Sequence, residues 1–195
     1  MLQYALKEWA VICRALELGK QSILLRKGGI AEDFRLEHHR FWLFPTYVHQ
    51  QRDGISPEGA LWLDEAMNDR PPTSVIRISH WAEVTGVWHL RELATALSLS
   101  HLHYWSEDTV RKRFEYRTPG LHAWAVRVYR APSPMNIEDT IGYQGCRSWV
   151  TLDQSLPTSG SIPVLEDTAD FKASQTLKLL LASGTRRSDR SDIAL

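Results

Sequence analysis

Two short apolar runs, separated by a polar loop, constrain the fold of this chain more than any other feature. The first run covers residues 22–25 and is followed by two cations and two glycines, Arg26, Lys27, Gly28 and Gly29. The second run covers residues 41–44 and closes on Pro45. Runs of this length bounded by turn residues predict buried strands. Glycine lets the backbone approach another strand or a ligand, so the sequence predicts two strands with a functional loop between them.

An amphipathic helix is predicted for residues 2–18, because apolar side chains recur there at spacings of three and four. Gly19 supplies the expected stop signal. Cys13 lies on the apolar stripe and is predicted to be packed in the core. The charged residues off the stripe are interpreted as a solvated face, and these are Glu8, Arg14 and Glu17.

The rest of the chain alternates between strand and helix patterns. The longest strand pattern covers residues 75–88 and places five side chains in one alternating row, Ile76, Ile78, His80, Ala82 and Val84. Pro45 is expected to end the strand before it, and Pro132 and Pro134 are expected to end a strand over residues 121–130. A last strand is predicted for residues 146–152. Helices are predicted near residues 57–67, 89–98, 106–113 and 167–182.

About five strands and five helices, with long connections and no tight βαβ unit, favour the α+β class. We predict a small, mostly antiparallel, barrel-like sheet surrounded by helices. A chain of 195 residues fits one globular domain, predicted here for residues 1–182. The polar residues 183–195 are predicted to be a disordered tail.

Charge and composition exclude several classes of protein. Lys plus Arg and Asp plus Glu both total 23, so the net charge is zero, which argues against gripping long duplex DNA through a global positive field. Cys13 and Cys146 are too few for a disulfide framework or a four-thiolate zinc site. No apolar stretch is long enough to span a membrane and no signal sequence is visible. A soluble, cytoplasmic protein with no cofactor is therefore expected, and the oligomeric state stays open.

Nearly the whole chain, residues 4–180, resembles the domain-of-unknown-function 1802 family of bacterial proteins. Five motifs carry this resemblance. They are A-L-K-E-W-A-V at 5–11, L-L-R-K-G-G-I at 24–30, F-P-T-Y at 44–47 with His49 and Gln50, Y-W-S-E-D-T-V at 104–110, and G-C-R-S-W-V at 145–150.

A remote resemblance over residues 9–45 points to ASCH domains, which have a PUA-like barrel. In that family a helix ends at a glycine and is followed by Lys-Thr and by a strand that ends in arginine. Those features fall here on Gly19, Gln21-Ser22 and Arg26. The resemblance implies a cleft that binds RNA or nucleotides. The amidohydrolase chemistry of some members is not implied, since the catalytic lysine falls on Gln21 and the catalytic threonine on Leu24.

The residues and the resemblance together favour a PUA-like binding module that recognises RNA, a nucleotide or a modified base through a basic cleft. Arg26 and Lys27, beside the backbone N–H groups of Gly28 and Gly29, form a candidate phosphate receptor, although a strand end with solvated charges has the same pattern. Polar side chains that follow Pro45 are candidates for reading a base edge. The full set of candidate ligand-binding residues is Arg26, Lys27, Gly28, Gly29, Tyr47, His49, Gln50, Trp105 and Arg147.

Two other functions remain open from the sequence. The first is a hydrolase of a small or nucleic-acid substrate, with or without a metal ion, that uses Glu8 or Glu37 with His38, His39 or His49. No histidine pair has the spacing of a helical zinc site. The second is a partner-binding protein whose tryptophans, eight in all, face another protein. Neither a nucleophile motif nor a nuclease motif on a strand is legible.

Overall fold

A seven-stranded sheet organises the protein, whose computed structural model describes residues 1–27, 36–145 and 147–166. The strands are β1 (Leu2–Trp9), β2 (Ile23–Arg26), β3 (Arg40–Thr46), β4 (Val75–Leu90), β5 (Leu121–Glu138), β6 (Trp149–Leu156) and β7 (Ile162–Pro163). The helices are α1 (Ala10–Glu17), α2 (Ala60–Asn68), α3 (Leu93–Ser98) and α4 (Glu107–Glu115).

The strand order is β2-β5-β4-β3-β1-β6, with β7 paired to β5. Among the strand pairs in the described residues, β1 and β3 are parallel and the others are antiparallel. The α+β class and the mostly antiparallel sheet are therefore confirmed. The sheet stays open within the described residues, so it is barrel-like only in a loose sense.

The prediction of one helix over residues 2–18 is wrong for its first half. Residues Leu2–Trp9 form a strand that lies between β3 and β6, and the helix begins only at Ala10. Pairing on both sides outweighs the local helical spacing, because each flanking strand supplies backbone hydrogen bonds and buried contacts. The stop at Gly19 is confirmed, with a φ of +64° that glycine adopts without strain.

The long β4–β5 hairpin contains the feature that shapes one of the clefts described below. Ile78 pairs with Met135 and His80 with Arg130, so Ser79 lies opposite the bulged residues 131–134. The prediction that Pro132 and Pro134 end the strand is therefore wrong. Both prolines lie inside β5. They are part of the bulge, where the ladder with β4 is interrupted and no N–H donor is required.

Pro45 is also accommodated inside a strand, in contrast to the expected end of the ladder. It pairs with Glu8 in the register of β1 and β3, and β3 continues to Thr46. On its other side β3 pairs with β4 only over residues 40–42. Proline is tolerated here because no neighbour on that side requires its N–H.

Helix α4 follows its sequence signals closely. Ser106 accepts a hydrogen bond from the Thr109 N–H at 3.3 Å, acidic residues fill the first turn, and basic residues fill the last. Helix α2 follows a single 3₁₀ turn that begins at Pro57. Helix α3 is shorter than predicted, because residues 89 and 90 belong to β4.

Both faces of the sheet are packed with apolar side chains, and several tryptophans are part of these cores. The most deeply buried are Trp42, Trp105, Trp124 and Trp81, with exposed fractions from 0% to 8%. Cys13 is packed as predicted. In the described part of the chain no helix is both long and apolar enough to cross a bilayer.

Some sequence predictions fall outside the described residues. They are the loop glycines Gly28 and Gly29, Cys146, the helix over residues 167–182 and the tail over 183–195.

Candidate functional site

Arg26 is held inside the protein by an acidic partner that the sequence did not reveal. Its Nη1 lies 2.9 Å from Glu8 Oε2, and the two side chains are 14% and 4% exposed. The other carboxylate oxygen of Glu8 accepts a hydrogen bond from the Trp9 N–H at 2.9 Å. The interpretation of Glu8 as part of a solvated face is wrong, because in a strand it points inward to this pair.

Lys27 is bound by backbone carbonyls beyond the end of β2. Its Nζ donates to the oxygens of Phe114 and Gly120, each at 2.9 Å, and also to that of Thr118. Burial lowers the pKa of this ammonium group. Lys27 thus ties the end of β2 to the segment that follows α4.

Trp105 and Gln50 also make internal contacts. Trp105 is 1% exposed, packs edge-to-face on Trp9 at 4.8 Å, and has the Arg113 guanidinium 3.6 Å from its ring centre. The Gln50 side chain accepts from the Val11 N–H at 3.3 Å and donates to the sulfur of Met67. The structure therefore does not bring Arg26, Lys27, Gln50 or Trp105 to one cleft.

Three of the predicted residues do converge, on a cleft of about 500 Å³ that we call the basic cleft. Tyr47 and His49 line it from the turn after β3, and Arg147 lines it from the segment before β6. Lys7 and Arg70 line the same cleft, although neither was predicted from the sequence. Its aromatic lining consists of Trp9, Phe44, Tyr47 and Tyr143.

The charge of the basic cleft is predominantly positive. Its lining contains three cationic side chains, Lys7, Arg70 and Arg147. Among the described residues it contains a single carboxylate, Asp139. Lys7 donates to the backbone oxygens of Tyr143 and Gly145, which fixes the segment that carries Arg147. Arg70 lies with its guanidinium 5.0 Å from the ring centre of Tyr47. Such a surface attracts anions and offers aromatic faces for stacking.

His49 occupies a backbone conformation that histidine adopts infrequently. Its φ is +76° and its side chain is exposed at the tip of the turn. A strained residue of this kind is more common at functional sites than elsewhere. Arg70, Pro71 and Pro72, from the loop after α2, line the same cleft as this turn.

A second cleft, of about 540 Å³, lies on the other side of Pro45 and Tyr47, which line both. We call it the acid–base cleft after Glu17, Ser79 and His80, which meet in it. Ser79 Oγ lies 2.9 Å from His80 Nδ1 and 3.5 Å from Glu17 Oε1. His80 Nδ1 lies 3.7 Å from the same carboxylate oxygen.

Burial changes the protonation of the acid–base cleft. It raises the pKa of Glu17 to about 7, against a smaller lowering effect of Arg14, and it lowers the pKa of His80 to about 4. Burial also raises the pKa of Tyr47. Perturbed groups that share a cleft mark a candidate functional site. The solvated face predicted for Glu17 is therefore wrong, whereas His80 in the apolar row of β4 was a usable signal.

The proposed metal-binding residues are dispersed. His38 stacks on Tyr4 at 3.6 Å, and His39 and His49 are exposed. Within residues 1–27, 36–145 and 147–166, no three His, Cys, Asp or Glu side chains are grouped closely enough to hold a metal ion.

The fold and its clefts define an α+β domain in which two neighbouring clefts flank the end of a central strand. The chain belongs to the family of the domain of unknown function DUF1802, whose model matches residues 5–176. A comparison with curated proteins finds no match.

Among solved structures, the chain is similar to the ASCH protein of Zymomonas mobilis and to a point variant of it. Each is 14% identical to this chain in sequence. The aligned region includes 89% of this chain and 94% of the Zymomonas mobilis chain. The TM-scores are 0.44 for the unmodified protein and 0.45 for the variant. Both resemblances predicted from the sequence are thus found again.

Proposed function

We propose that this protein binds RNA or a nucleotide through the basic cleft. The observation that carries the proposal is the convergence of Tyr47, His49 and Arg147 with two further cations, Lys7 and Arg70, around one cavity. Arg70 and Arg147 supply the phosphate contacts, which dominate the affinity for nucleic acid, and Lys7 adds positive charge while it holds two backbone oxygens. Tyr47 and the Arg70 guanidinium over its ring supply a surface on which a base stacks, and the exposed His49 reads a polar edge.

Net charge supports a local site of this kind. The protein as a whole is neutral, so a general positive field does not attract nucleic acid. The basic cleft instead concentrates three cations against one carboxylate in its described lining. A volume of about 500 Å³ is in the range of pockets that hold a small molecule or one nucleotide unit.

The proposal is tested by fluorescence anisotropy with a labelled single-stranded RNA of mixed sequence. Removal of two phosphate contacts in Arg70→Ala/Arg147→Ala is expected to weaken binding about tenfold or more and to reduce the slope of log affinity against log salt by about 2. Both arginines are exposed, so the free energy of unfolding is expected to change by less than about 0.5 kcal/mol.

The matched control is Arg91→Ala/Arg111→Ala, which removes the same charge from exposed positions outside both clefts. It is expected to bind RNA as the unmodified protein does. An unmodified protein that binds neither RNA nor adenosine monophosphate, or an equal loss in both double variants, would contradict the proposal.

The hydrolase considered in the sequence analysis gains no support at the residues named for it. Glu8 is engaged with Arg26 and His38 is stacked on Tyr4. No described contact joins a carboxylate to His39 or His49.

A further inference from the structure

The geometry of the acid–base cleft depends on a β-bulge, which positions the hydroxyl group of Ser79 in the cleft. In a regular strand the side chains of Ser79 and His80 would point to opposite faces. The register shift between Ile78 and His80 instead brings Ser79 Oγ within 2.9 Å of His80 Nδ1, and both line the cleft. Bulges that redirect a side chain in this way are frequent next to functional sites.

The three arginines of this cleft differ in their partners. Arg14 is 3.0 Å from Glu65, and Arg77 is 2.8 Å from Asp69. Arg130 is exposed at the cleft, and its guanidinium makes no ion pair or hydrogen bond with any described residue. The N–H groups of its guanidinium are therefore available to a ligand. A guanidinium can donate two parallel hydrogen bonds to a carboxylate or a phosphate.

The rest of the lining suits a ligand with an apolar body. The lining includes exposed apolar residues, Pro132, Pro134 and Ile162, and buried ones, Ala10, Ala66 and Ala131. Pockets that combine mostly apolar walls with a few convergent polar groups are typical small-molecule sites.

We propose that the acid–base cleft is a second binding site, separate from the basic cleft, for a small molecule that carries a carboxylate or phosphate group on an apolar body. Arg130 holds the anionic group. Glu17, in its protonated form, and Ser79 donate hydrogen bonds to the ligand from the floor of the cleft.

Protonation of Glu17 follows from its surroundings. An anion in the cleft is repelled by an ionised Glu17, so binding favours the protonated carboxyl and tightens as the pH falls through about 7. Charged and titratable groups face Glu17 from each packed element. These are Arg14 and Cys13 on α1, Tyr47 after β3, Asp69 after α2, Arg77 and His80 on β4, and Arg130 on β5.

Fluorine NMR with para-fluorobenzoate tests this proposal, because the charge of that probe is constant around neutral pH. A ligand of this size is expected to bind in about the millimolar range. With a Glu17 pKa of about 7, its affinity is expected to fall about tenfold between about pH 6 and about pH 8. Glu17→Gln keeps a hydrogen-bond donor and is expected to remove that pH dependence.

The anion contact is tested separately. Arg130→Ala is expected to weaken para-fluorobenzoate binding at least about fivefold, and Arg91→Ala, on the surface outside the cleft, is expected to leave it unchanged. The neutral analogue para-fluorobenzamide lacks the anionic group, so the Arg130→Ala substitution is expected to leave its affinity unchanged. Thermal unfolding of each variant establishes that it is folded.

Several results would overturn the proposal. They are absence of para-fluorobenzoate binding, equal binding by Arg130→Ala, or an unchanged pH dependence in Glu17→Gln. A phosphate of bound RNA is the other source of such an anion. If Arg130→Ala weakens RNA binding while para-fluorobenzoate does not bind, the cleft holds RNA and the small-molecule site is refuted. Failure of RNA binding in Arg70→Ala/Arg147→Ala concerns only the basic cleft.

Discussion

Glu8 and Glu17 lie nine positions apart on the same β1–α1 segment, yet the protein treats the two carboxyl groups differently. Glu8 is 4% exposed and has Arg26 and a backbone N–H as close partners. Glu17 is 18% exposed, its distance to Arg14 is 3.9 Å, and its pKa is raised to about 7. A carboxylate with a close cation serves the fold, whereas one that is buried without such a partner is available for a ligand.

The largest expected effect tests the first half of this comparison. Arg26→Ala leaves Glu8 buried without its cation and is expected to lower the free energy of unfolding by about 3–5 kcal/mol, as measured by urea denaturation. Arg26→Met/Glu8→Gln removes both charges and is expected to recover most of that loss.

The exposed pair of Arg40 and Glu83 is the control for this prediction. Its nitrogen–oxygen distance is 2.8 Å, close to that of the buried pair, but Arg40 is 61% exposed. Arg40→Ala is expected to cost less than about 1 kcal/mol. Equal losses in Arg26→Ala and Arg40→Ala would show that burial does not distinguish the two pairs.

The second expected effect concerns Glu17. Its folded pKa of about 7 lies above the usual value of 4.5, so the folded state binds more protons and its stability falls as the pH rises between these values. Glu17→Gln removes that loss. Its stability relative to the unmodified protein is expected to rise by about 2 kcal/mol between about pH 5 and about pH 8, a figure reduced for partial exposure.

His80 gives the opposite dependence and separates the two groups experimentally. Its pKa is lowered to about 4 from 6.5, so stability is lost as the pH falls through that window. Urea denaturation over a pH series is the measurement. A Glu17→Gln curve parallel to that of the unmodified protein above about pH 5 would contradict the raised pKa.

The smallest expected effect extends the comparison to Lys27, whose ammonium has three backbone carbonyl partners. Lys27→Met keeps the apolar stem and removes the donors, so the free energy of unfolding is expected to fall by about 1–2 kcal/mol. Lys20→Met, at an exposed position, is expected to change it by less than about 0.5 kcal/mol. RNA affinity that falls in Lys27→Met without any loss of stability would instead support the anion receptor predicted from the sequence.

Local patterns predicted much of the fold. The cap at Ser106, the stop at Gly19 and the alternation in β4 each depend on neighbouring residues, so the sequence was sufficient to place α4, the end of α1 and β4. β1 was mistaken for helix because its neighbours β3 and β6 are distant in sequence. The prolines of β5 were mistaken for strand ends because a bulge depends on the partner strand.

The site was predictable only in part, for a related reason. Tyr47 and His49 were found because they follow the end of a strand, where clefts form. Arg26 has the same appearance in sequence, but its partner Glu8 lies on another strand. Lys7 and Arg70 gave no signal, since 63 positions separate them and only the folded sheet brings them to one cavity.

Tyr47 is a wall shared by the two clefts, and this has a thermodynamic consequence. Its ring lies under Arg70 on the basic side and lines the cleft of Glu17 on the other. If an occupant of one side displaces the ring, the affinity on the opposite side changes by some factor. Thermodynamic linkage then requires that a ligand in the second cleft changes the affinity of the first by the same factor. The two binding equilibria would be coupled through a single aromatic side chain.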